Sequence, residues 1–287
     1  MYQITSDCKK LKEIPYDSLV IKKKLGRRDF GTVYQAHSSL LGYVVIKEIE
    51  EATMDENAQK LLINELKRLN ESNHERIIKF YGISLDKKKK SCYLISEFAN
   101  NGTLREYLQK NKVEWPEKIQ LASQISKGMY YLHRIGIIHR NLHTSNILIH
   151  NRNVKISDFG ISKNLDSIAA TSSKKPYGVI PFIDPCKLED PGYPYDKRSD
   201  VYSIGVLLWE ISSNGQPPFD QNYVYDLPLR IIQGLRENPI EGTPERYINL
   251  YSNCWDYEPD KRPLTIQILQ QLNYLDPKMI ALMRALF

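Results

Sequence analysis

In the first third of the chain, apolar and polar residues alternate in short runs rich in β-branched side chains. A period of two places every second side chain on one face, which is typical of strands in a half-buried sheet. Two of the runs are apolar and flank the basic stretch from Lys87 to Lys90, which we interpret as a solvated hairpin tip in preference to an acidic-lipid contact. The five predicted strands are Leu19 to Lys24, Thr32 to Ala36, Val44 to Lys47, Ile77 to Leu85 and Cys92 to Phe98.

One helix is predicted among these strands, from Asp55 to Glu71. Its apolar residues recur at helical spacing and form a core-facing stripe: Ala58, Leu61, Leu62, Leu66 and Leu69. Glu65 falls on this stripe, and a carboxylate that faces a core is costly unless it is paired. Glu65 therefore needs a cationic partner, unless it is a solvated glutamate at the helix edge.

The remainder of the chain has mainly helical patterns. Trp115 and Pro116 predict a helix start, because proline is favoured at the first helical position. The expected buried face of that helix consists of Leu121, Ala122, Ile125, Met129 and Leu132. A β-branched stretch from Asn153 to Ser157 predicts a strand, and a nearly all-apolar helix is expected from Lys197 through Ile211. The amphipathic tail from Asp276 to Phe287 is expected to pack as a terminal helix and not to act as a docking peptide.

These elements predict an α+β fold with two lobes. A small antiparallel β lobe with one helix is expected at about residues 16–97, and a larger, mainly helical lobe at about residues 100–287. Residues 1–15 are assigned to an N-terminal extension. A chain of 287 residues with 41% hydrophobic and 26% charged residues is ordinary for a globular domain of this size.

Charge and cysteine content exclude some classes of function. A formal net charge of +6 without a basic cluster on a reading element gives no support for nucleic-acid binding. Cysteine occurs four times, at Cys8, Cys92, Cys186 and Cys254, without the spacing of a metal site. The sequence contains neither a recognisable signal peptide nor an apolar run of membrane-spanning length. A cytoplasmic, or alternatively nuclear, location is therefore expected.

The stretch from His139 to Asn146, HRNLHTSN, carries the most chemical information. It resembles the phosphoryl-transfer loop H-R-D-x-x-x-x-N, whose Asp accepts the proton of the substrate hydroxyl and whose Asn binds a magnesium ion. Asn146 stands at the metal-binding position, but Asn141 stands where the Asp belongs. A carboxamide accepts hydrogen bonds, yet it cannot take up a proton near neutral pH. The DFG tripeptide that begins at Asp158 matches the second metal-binding motif.

A glycine-containing loop precedes these motifs. Gly26 and Gly31 match the first and third glycines of a loop that covers nucleotide phosphates, where glycine lets backbone N–H groups approach phosphate oxygens. Arg28 replaces the second glycine; it either narrows the phosphate site or supplies a cation to it. On its own, the loop is equally compatible with an ordinary hairpin turn.

Taken in order, the motifs resemble the eukaryotic protein kinase domain from about Leu19 to Leu272. The stretch from Gly178 to Phe182 is similar to the tyrosine-kinase-like serine/threonine branch. The resemblance implies ATP and Mg²⁺ as cofactors, protein partners or substrates, a Lys47–Glu65 salt bridge, and Asn146 with Asp158 as metal ligands. The ATP-binding residues that it implies are Gly26, Gly31, Val33, Val45, Lys47, Ser96, Glu97, Ala99 and Leu148.

Within that implied ATP site, the residues have different roles. Ser96 corresponds to a small gatekeeper, the backbone groups of Glu97 and Ala99 would bind adenine, and Leu148 would be the floor. The roof would be Val33 with Val45, which is larger than the alanine usual in the family. A regulatory spine is implied for Leu69, Phe80, Phe159 and His139.

The resemblance also implies contacts around the activation segment, from Asp158 to about Pro185. Arg140 resembles the residue that grips a phosphate placed in this segment, and Asp200 resembles the aspartate that braces the catalytic loop, with a helix N-cap as its simpler role. Where kinases read A-P-E, this chain reads Asp-Pro-Cys. Arg262 therefore needs another acceptor than the family's glutamate, for which Asp184 and Glu189 are the candidates.

Three functional hypotheses follow. The first is an ATP-binding pseudokinase, or a strongly impaired serine/threonine kinase, that acts as a signalling switch or scaffold. The second is an active serine/threonine kinase that transfers the γ-phosphate of ATP to protein hydroxyls. The third is an interaction module without nucleotide, which applies if Arg28 and Val45 block the pocket.

Overall fold

Strands predominate in the chain up to Asn100 and helices predominate from Asn101 onward, as the computed structural model of the protein describes them. The structure describes residues 11–28, 31–49, 66, 69–86, 91–159, 180–219 and 226–275. These residues divide into two units, one up to Asn100 and one from Asn101. The predicted α+β architecture, an antiparallel sheet followed by a mainly helical part, is confirmed.

The first unit contains a five-stranded antiparallel sheet with the order β1-β2-β3-β5-β4. Its strands are β1 (Leu19–Arg28), β2 (Gly31–Ser38), β3 (Gly42–Ile49), β4 (Phe80–Asp86) and β5 (Ser91–Glu97). All five predicted strands are present, but β4 begins at Phe80 and not at Ile77. The N–H of Ile77 donates to the carbonyl of His74 in a turn (3.0 Å), and Ile77 and Ile78 are buried before the continuous pairing of β4 with β5 begins.

Each face of this sheet supports its own apolar cluster, as the period of two requires. The first cluster consists of Leu11, Ile49, Leu66, Ile83, Cys92 and Leu94, with Leu69, Phe80 and Leu85 packed against it. The second consists of Ile14, Leu19, Ala36, Val44, Ile46, Tyr93 and Ile95. Leu66 and residues 69–71 are the described part of the helix predicted from Asp55 to Glu71.

Residues just before β1 pack on the edge strand β4. The N–H of Ile14 donates to the carbonyl of Ile83 (2.8 Å), and the N–H of Ile83 donates to the carbonyl of Lys12 (3.0 Å). Gly82 has a φ of +140°, and a Cβ there would lie 2.0 Å from the Lys12 carbonyl oxygen, so only glycine allows this approach. Leu11 and Ile14 enter the two apolar clusters, and part of the segment assigned to an extension thus completes the sheet.

The second unit has seven helices and one two-stranded ribbon in its described part. The helices are α1 (Leu104–Lys110), α2 (Trp115–Arg134), α3 (Pro185–Glu189), α4 (Lys197–Ser212), α5 (Leu227–Ile232), α6 (Glu245–Cys254) and α7 (Thr265–Asn273). The ribbon pairs β6 (Ile147–His150) with β7 (Asn153–Ile156). Pro116 lies in the first turn of α2, and every residue of the expected buried face of that helix is buried, as the sequence predicts.

One expectation for α4 needs correction. Asp196, and not Asp200, is the N-cap: its carboxylate accepts the N–H of Arg198 at 2.7 Å. Asp200 lies inside the first helical turn and is 1% exposed, so its carboxylate points into the unit and does not cap the helix. Helix α4 is buried along almost its whole length, which explains its all-apolar pattern.

Several predicted features lie outside the described residues. They are Glu65 with most of its helix, the basic tip at 87–90, residues 160–179 of the activation segment and the tail at 276–287. No helix within the described ranges has the length and apolar character needed to cross a bilayer.

Candidate active site

The pairing register of the sheet places four predicted ATP-binding residues on one face. Val33 of β2 lies opposite Lys47 of β3, and Val45 of β3 lies opposite Ser96 of β5. Directly opposed residues in an antiparallel pair share a face, and so do residues two apart on one strand. Leu94, opposite Lys47, belongs to the cluster that contains Leu66, so Lys47 faces the side of the sheet that the helix covers. The Lys47–Glu65 pair stays a prediction.

Gly26 and Gly31 differ in what the sheet demands of them. Gly31 has a φ of +145°, and a Cβ there would lie 1.7 Å from the carbonyl oxygen of Glu48, so the sheet itself requires glycine at this position. An added Cβ at Gly26 would have no atom of the described chain within 4 Å. The described packing therefore does not require glycine at position 26, and its phosphate-covering role stays a prediction. The side chain of Arg28 lies outside the described residues.

The predicted hinge is anchored at Glu97. Its N–H donates to the carbonyl of Lys79 (2.9 Å), while its carboxylate accepts the N–H of Lys79 (3.2 Å). Burial, and secondarily the charge of Glu97, raises the pKa of Tyr81. Because the N–H of Glu97 is occupied, its carbonyl is the backbone group to consider for adenine, together with the backbone of Ala99.

Leu148, the predicted adenine floor, is held by the segment that follows the hinge. The N–H of Ile149 donates to the carbonyl of Gly102, and the N–H of Asn101 donates to the carbonyl of Ile149, both at 2.9 Å. Thr103 forms an isolated bridge with Leu148. Both segments belong to the second unit, so hydrogen bonds connect the predicted floor to the chain directly after the hinge.

Asp200 holds the backbone of the catalytic loop. Its two carboxylate oxygens accept the N–H groups of His139 and Arg140, each at 2.8 Å, and Oδ2 also contacts Nε2 of His133 at 2.9 Å. Arg140 adopts a left-handed φ of 68°, a conformation that costs energy in a non-glycine residue and persists where the surroundings enforce it. The bracing role expected for Asp200 is present in the structure. His133 is a third hydrogen-bonding partner of its carboxylate, which the sequence analysis missed.

The tautomer of His139 follows from its contacts. Its Nε2 is 3.1 Å from the carbonyl of Ser157, which only accepts, and its Nδ1 accepts the N–H of Asn141 at 3.3 Å. The neutral ring with its proton on Nε2 satisfies both contacts. Burial lowers the pKa of His139, which also favours the neutral ring, although the charge of Asp200 opposes this shift. His139 thereby links the loop to the residue that precedes Asp158.

Hydrogen bonds of its backbone and of its side chain hold Asn146 in place. Its N–H donates to the carbonyl of His143 (2.9 Å), and its carbonyl accepts the N–H (2.9 Å) and the hydroxyl (3.2 Å) of Ser157. Its side-chain Nδ2 donates to the carbonyl of Asn141 at 2.9 Å and lies 3.1 Å from Nε2 of His143. The amide oxygen Oδ1 is thus on the side opposite these two acceptors.

Asn141 takes part in this network through its backbone. The N–H bonds to His139 and the carbonyl bonds to Asn146, whereas the carboxamide makes no hydrogen bond within the described part of the chain. The residue is half-buried. A carboxamide at this position can accept a hydrogen bond but cannot take up a proton near neutral pH.

Asp158 and Asn146 are the two metal ligands predicted from the sequence. Asp158 follows Ser157, which bonds to Asn146, and has a φ of 55°, a strained conformation found often at active sites. One carboxylate and one amide oxygen fit Mg²⁺, which prefers oxygen ligands and takes the others from phosphates and water. No cluster of three or more metal-ligating His, Cys, Asp or Glu side chains occurs among the described residues.

A second anchor of the loop was also missed in the sequence. Glu210 of α4 is fully buried and accepts Nη2 of Arg105 (3.1 Å) and the hydroxyl of Thr144 (3.3 Å). Burial raises the pKa of Glu210, while the Arg105 guanidinium acts in the opposite direction. The signal was a carboxylate within the apolar stretch that ends α4, because such a charge needs a partner from elsewhere in the fold.

The acceptor of Arg262 is Asp184, one of the two candidates. Nη1 and Nη2 donate to the two carboxylate oxygens at 2.7 and 3.0 Å, and both side chains are fully buried. Glu189 instead accepts the hydroxyl of Tyr257. A bidentate pair of this kind fixes the end of the activation segment against the region before α7.

The predicted spine residues occur as two neighbouring pairs, one in each unit. Leu69 and Phe80 pack against the same apolar cluster of the first unit. The rings of His139 and Phe159 make an edge-to-face contact at 6.2 Å in the second unit.

Replacing Asp200 by asparagine is expected to destabilise the second unit by about 1–3 kcal/mol, because an NH₂ group would face a buried backbone N–H donor. Urea unfolding followed by tryptophan fluorescence measures this change. The three tryptophans, Trp115, Trp209 and Trp255, all lie in the second unit. The exposed Asp17→Asn is the matched control, and equal unfolding midpoints for the two variants would contradict the bracing role.

Comparisons with known proteins agree with this geometry. A family model described as "Protein tyrosine and serine/threonine kinase" matches residues 19–272. Human tyrosine-protein kinase TXK is 31% identical over 266 residues, which cover 90% of this chain and 48% of that protein. The RasGEF domain-containing serine/threonine-protein kinase X of Dictyostelium discoideum is 30% identical over 268 residues, which cover 91% of this chain and 27% of that protein.

A putative serine/threonine-protein kinase/receptor of Acanthamoeba polyphaga mimivirus is 30% identical over 264 residues, or 91% of this chain and 15% of that protein. The chain thus spans less than half the length of these relatives. With the family match over most of its length, the antiparallel sheet and helical part, and the braced HRN loop, the chain belongs to the protein tyrosine and serine/threonine kinase family.

Proposed function

We propose that this kinase domain binds ATP with Mg²⁺ and transfers phosphate slowly, so that it works mainly as a signalling switch or scaffold. The observation that carries the proposal is a catalytic loop whose backbone is held by hydrogen bonds, although the residue at the proton-accepting position cannot accept a proton. Asp200 holds the loop backbone, and the Asn141 carbonyl holds Asn146, but the side chain at position 141 is a carboxamide.

Nucleotide binding is supported by the positions of the residues that would contact it. Val33, Val45, Lys47 and Ser96 share a face of the sheet, and Leu148 forms a bridge with Thr103 in the second unit. Asn146 and Asp158 offer the oxygen donors that Mg²⁺ prefers. When bound, this ion would neutralise charge on the transferred phosphate.

A switch role is supported by Arg140. Its Nε is buried without a hydrogen-bond partner, and such a group is costly until an acceptor satisfies it. The hydroxyl residues of the activation segment that could carry a phosphate to it, Ser162, Ser167, Thr171, Ser172, Ser173 and Tyr177, lie outside the described residues. Phosphorylation there would give the guanidinium its acceptor.

The proposal keeps serine and threonine hydroxyls of proteins as the substrate class for residual transfer, on the similarity of Gly178 to Phe182 to the tyrosine-kinase-like branch. It also keeps a cytoplasmic location. An active kinase is the second candidate, because phosphoryl transfer depends mostly on positioning and charge stabilisation, and the braced loop provides positioning.

Thermal unfolding with and without ATP and Mg²⁺ tests nucleotide binding. At a nucleotide concentration of about 100 times the Kd, the folded state should gain about 2.7 kcal/mol, because ligand binds it and not the unfolded chain. Lys47→Met should reduce the increase in Tm, and the exposed Lys112→Met, the matched control, should leave it unchanged. Absence of any Tm increase at millimolar nucleotide would refute ATP binding and favour the nucleotide-free interaction module.

A further inference from the structure

His143 occupies a position where serine/threonine kinases usually carry lysine. It immediately precedes the 3₁₀ turn Thr144–Asn146 and is half-buried. Its ring lies 6.1 Å from the ring of Phe182, and its Nε2 is 3.1 Å from Nδ2 of Asn146. The ring is thereby held from two sides, with one nitrogen directed at the predicted metal ligand.

The orientation of the Asn146 amide is determined by its two neighbours. The carbonyl of Asn141, 2.9 Å away, only accepts hydrogen bonds, so the atom that faces it must be the NH₂ group. That group has a second hydrogen, and Nε2 of His143 accepts it when the neutral ring carries its proton on Nδ1. A half-turn of the amide would place Oδ1 against the carbonyl oxygen of Asn141 and the unprotonated Nε2 of His143. Both contacts would then be repulsive, because neither pair would share a proton.

We propose that His143 is a positioning residue that locks the Asn146 amide with Oδ1 presented to the metal ion. The inference rests on the proposed function, in which Asn146 is a metal ligand. A lysine at position 143 cannot do this, because an ammonium group has three donors and no acceptor. The histidine thus has an orienting role that a lysine at this position could not have.

Residues that orient a metal ligand are typically worth about 10–100-fold in metal affinity. The quantity to measure is the metal enhancement, defined as the Kd of ATP in EDTA divided by its Kd in saturating Mg²⁺, by calorimetry on the full chain. His143→Ala and His143→Lys should each lower this enhancement by about 10-fold or more. His143→Gln, which restores a neutral acceptor, should preserve it, and the Kd in EDTA should be unchanged in all three variants.

His150 provides a matched control, because its Nε2 contacts Nδ2 of Asn151 at 3.3 Å outside the loop. His150→Ala should leave the enhancement at the wild-type value. Asn146→Ala distinguishes the existence of the metal site from the orienting role of His143. If Asn146→Ala abolishes the enhancement but His143→Ala does not, the role of His143 is wrong and the metal site stands.

If the wild type shows no enhancement, or Asn146→Ala retains it in full, the metal site of the proposed function fails, and the role of His143 fails with it. If His143→Ala weakens ATP binding equally in EDTA and in Mg²⁺, the histidine supports the loop as a whole, and the orienting role is overturned.

Discussion

Asn141→Asp is expected to raise the rate of phosphoryl transfer to a protein substrate by about 10²–10⁴-fold, the usual value of general acid–base assistance. This corresponds to about 3–5 kcal/mol of the activation free energy. The new carboxylate would have the shape of the carboxamide but would be able to accept the hydroxyl proton. The surrounding loop should tolerate the change, since Asn141 contacts His139 and Asn146 only through its backbone.

A radiolabelled transfer assay with a generic protein substrate measures this rate for the wild type and the variant. Asn151→Asp, an exposed asparagine-to-aspartate change in the turn after β6, is the matched control and should leave the rate unchanged. Equal turnover of the wild type and Asn141→Asp would show that Asn141 does not limit transfer. If that shared turnover is high, the domain is an active kinase, and the impaired-kinase proposal is wrong.

Asp184→Ala is expected to destabilise the second unit by about 3–5 kcal/mol, because it leaves a buried guanidinium without its counter-charge. Both members of the Asp184–Arg262 pair are fully buried. The guanidinium also donates to the carbonyls of Asp256, Arg198 and Tyr257 and lies over the ring of Tyr202, so it cannot turn toward solvent without losing them.

Urea unfolding followed by tryptophan fluorescence measures this loss in the second unit. Asp190→Ala removes an exposed carboxylate of the same region and should cost much less. The double variant Asp184→Ala with Arg262→Met removes both charges. It should therefore be more stable than the sum of the two single changes predicts, as expected for directly coupled residues. Strict additivity, or a cost for Asp184→Ala no larger than for Asp190→Ala, would show that the buried pair contributes little.

Local patterns predicted the elements of the fold well. Successive strand residues divide between two apolar clusters, one on each face of the sheet, and helix α2 has its apolar stripe where it contacts the rest of the second unit. The start of β4 was wrong because burial alone makes Ile77 and Ile78 look like strand residues. The N–H of Ile77 closes a turn with the carbonyl of His74, and hydrophobicity alone does not predict such a turn.

For the candidate site, motifs predict a residue together with its role, as for Asn146 and Lys47, and these two roles stay predictions. Hydrogen-bonding partners from distant parts of the chain were harder to predict from the sequence. Arg105, Thr144 and Glu210 meet only in the folded unit, and no local pattern links them. Likewise, Gly31 fits a phosphate-loop motif, although the approach of the Glu48 carbonyl already requires glycine there.

The backbone pairing of Lys12 and Ile14 with Ile83 has a practical consequence for the boundaries of this domain. Starting the polypeptide at Tyr16 would uncover the N–H and carbonyl groups of an outermost strand, and exposed strand edges recruit other chains. The same cut would remove two apolar side chains, those of Leu11 and Ile14, from the hydrophobic interior. A shortened version intended to remain monodisperse should therefore retain Leu11.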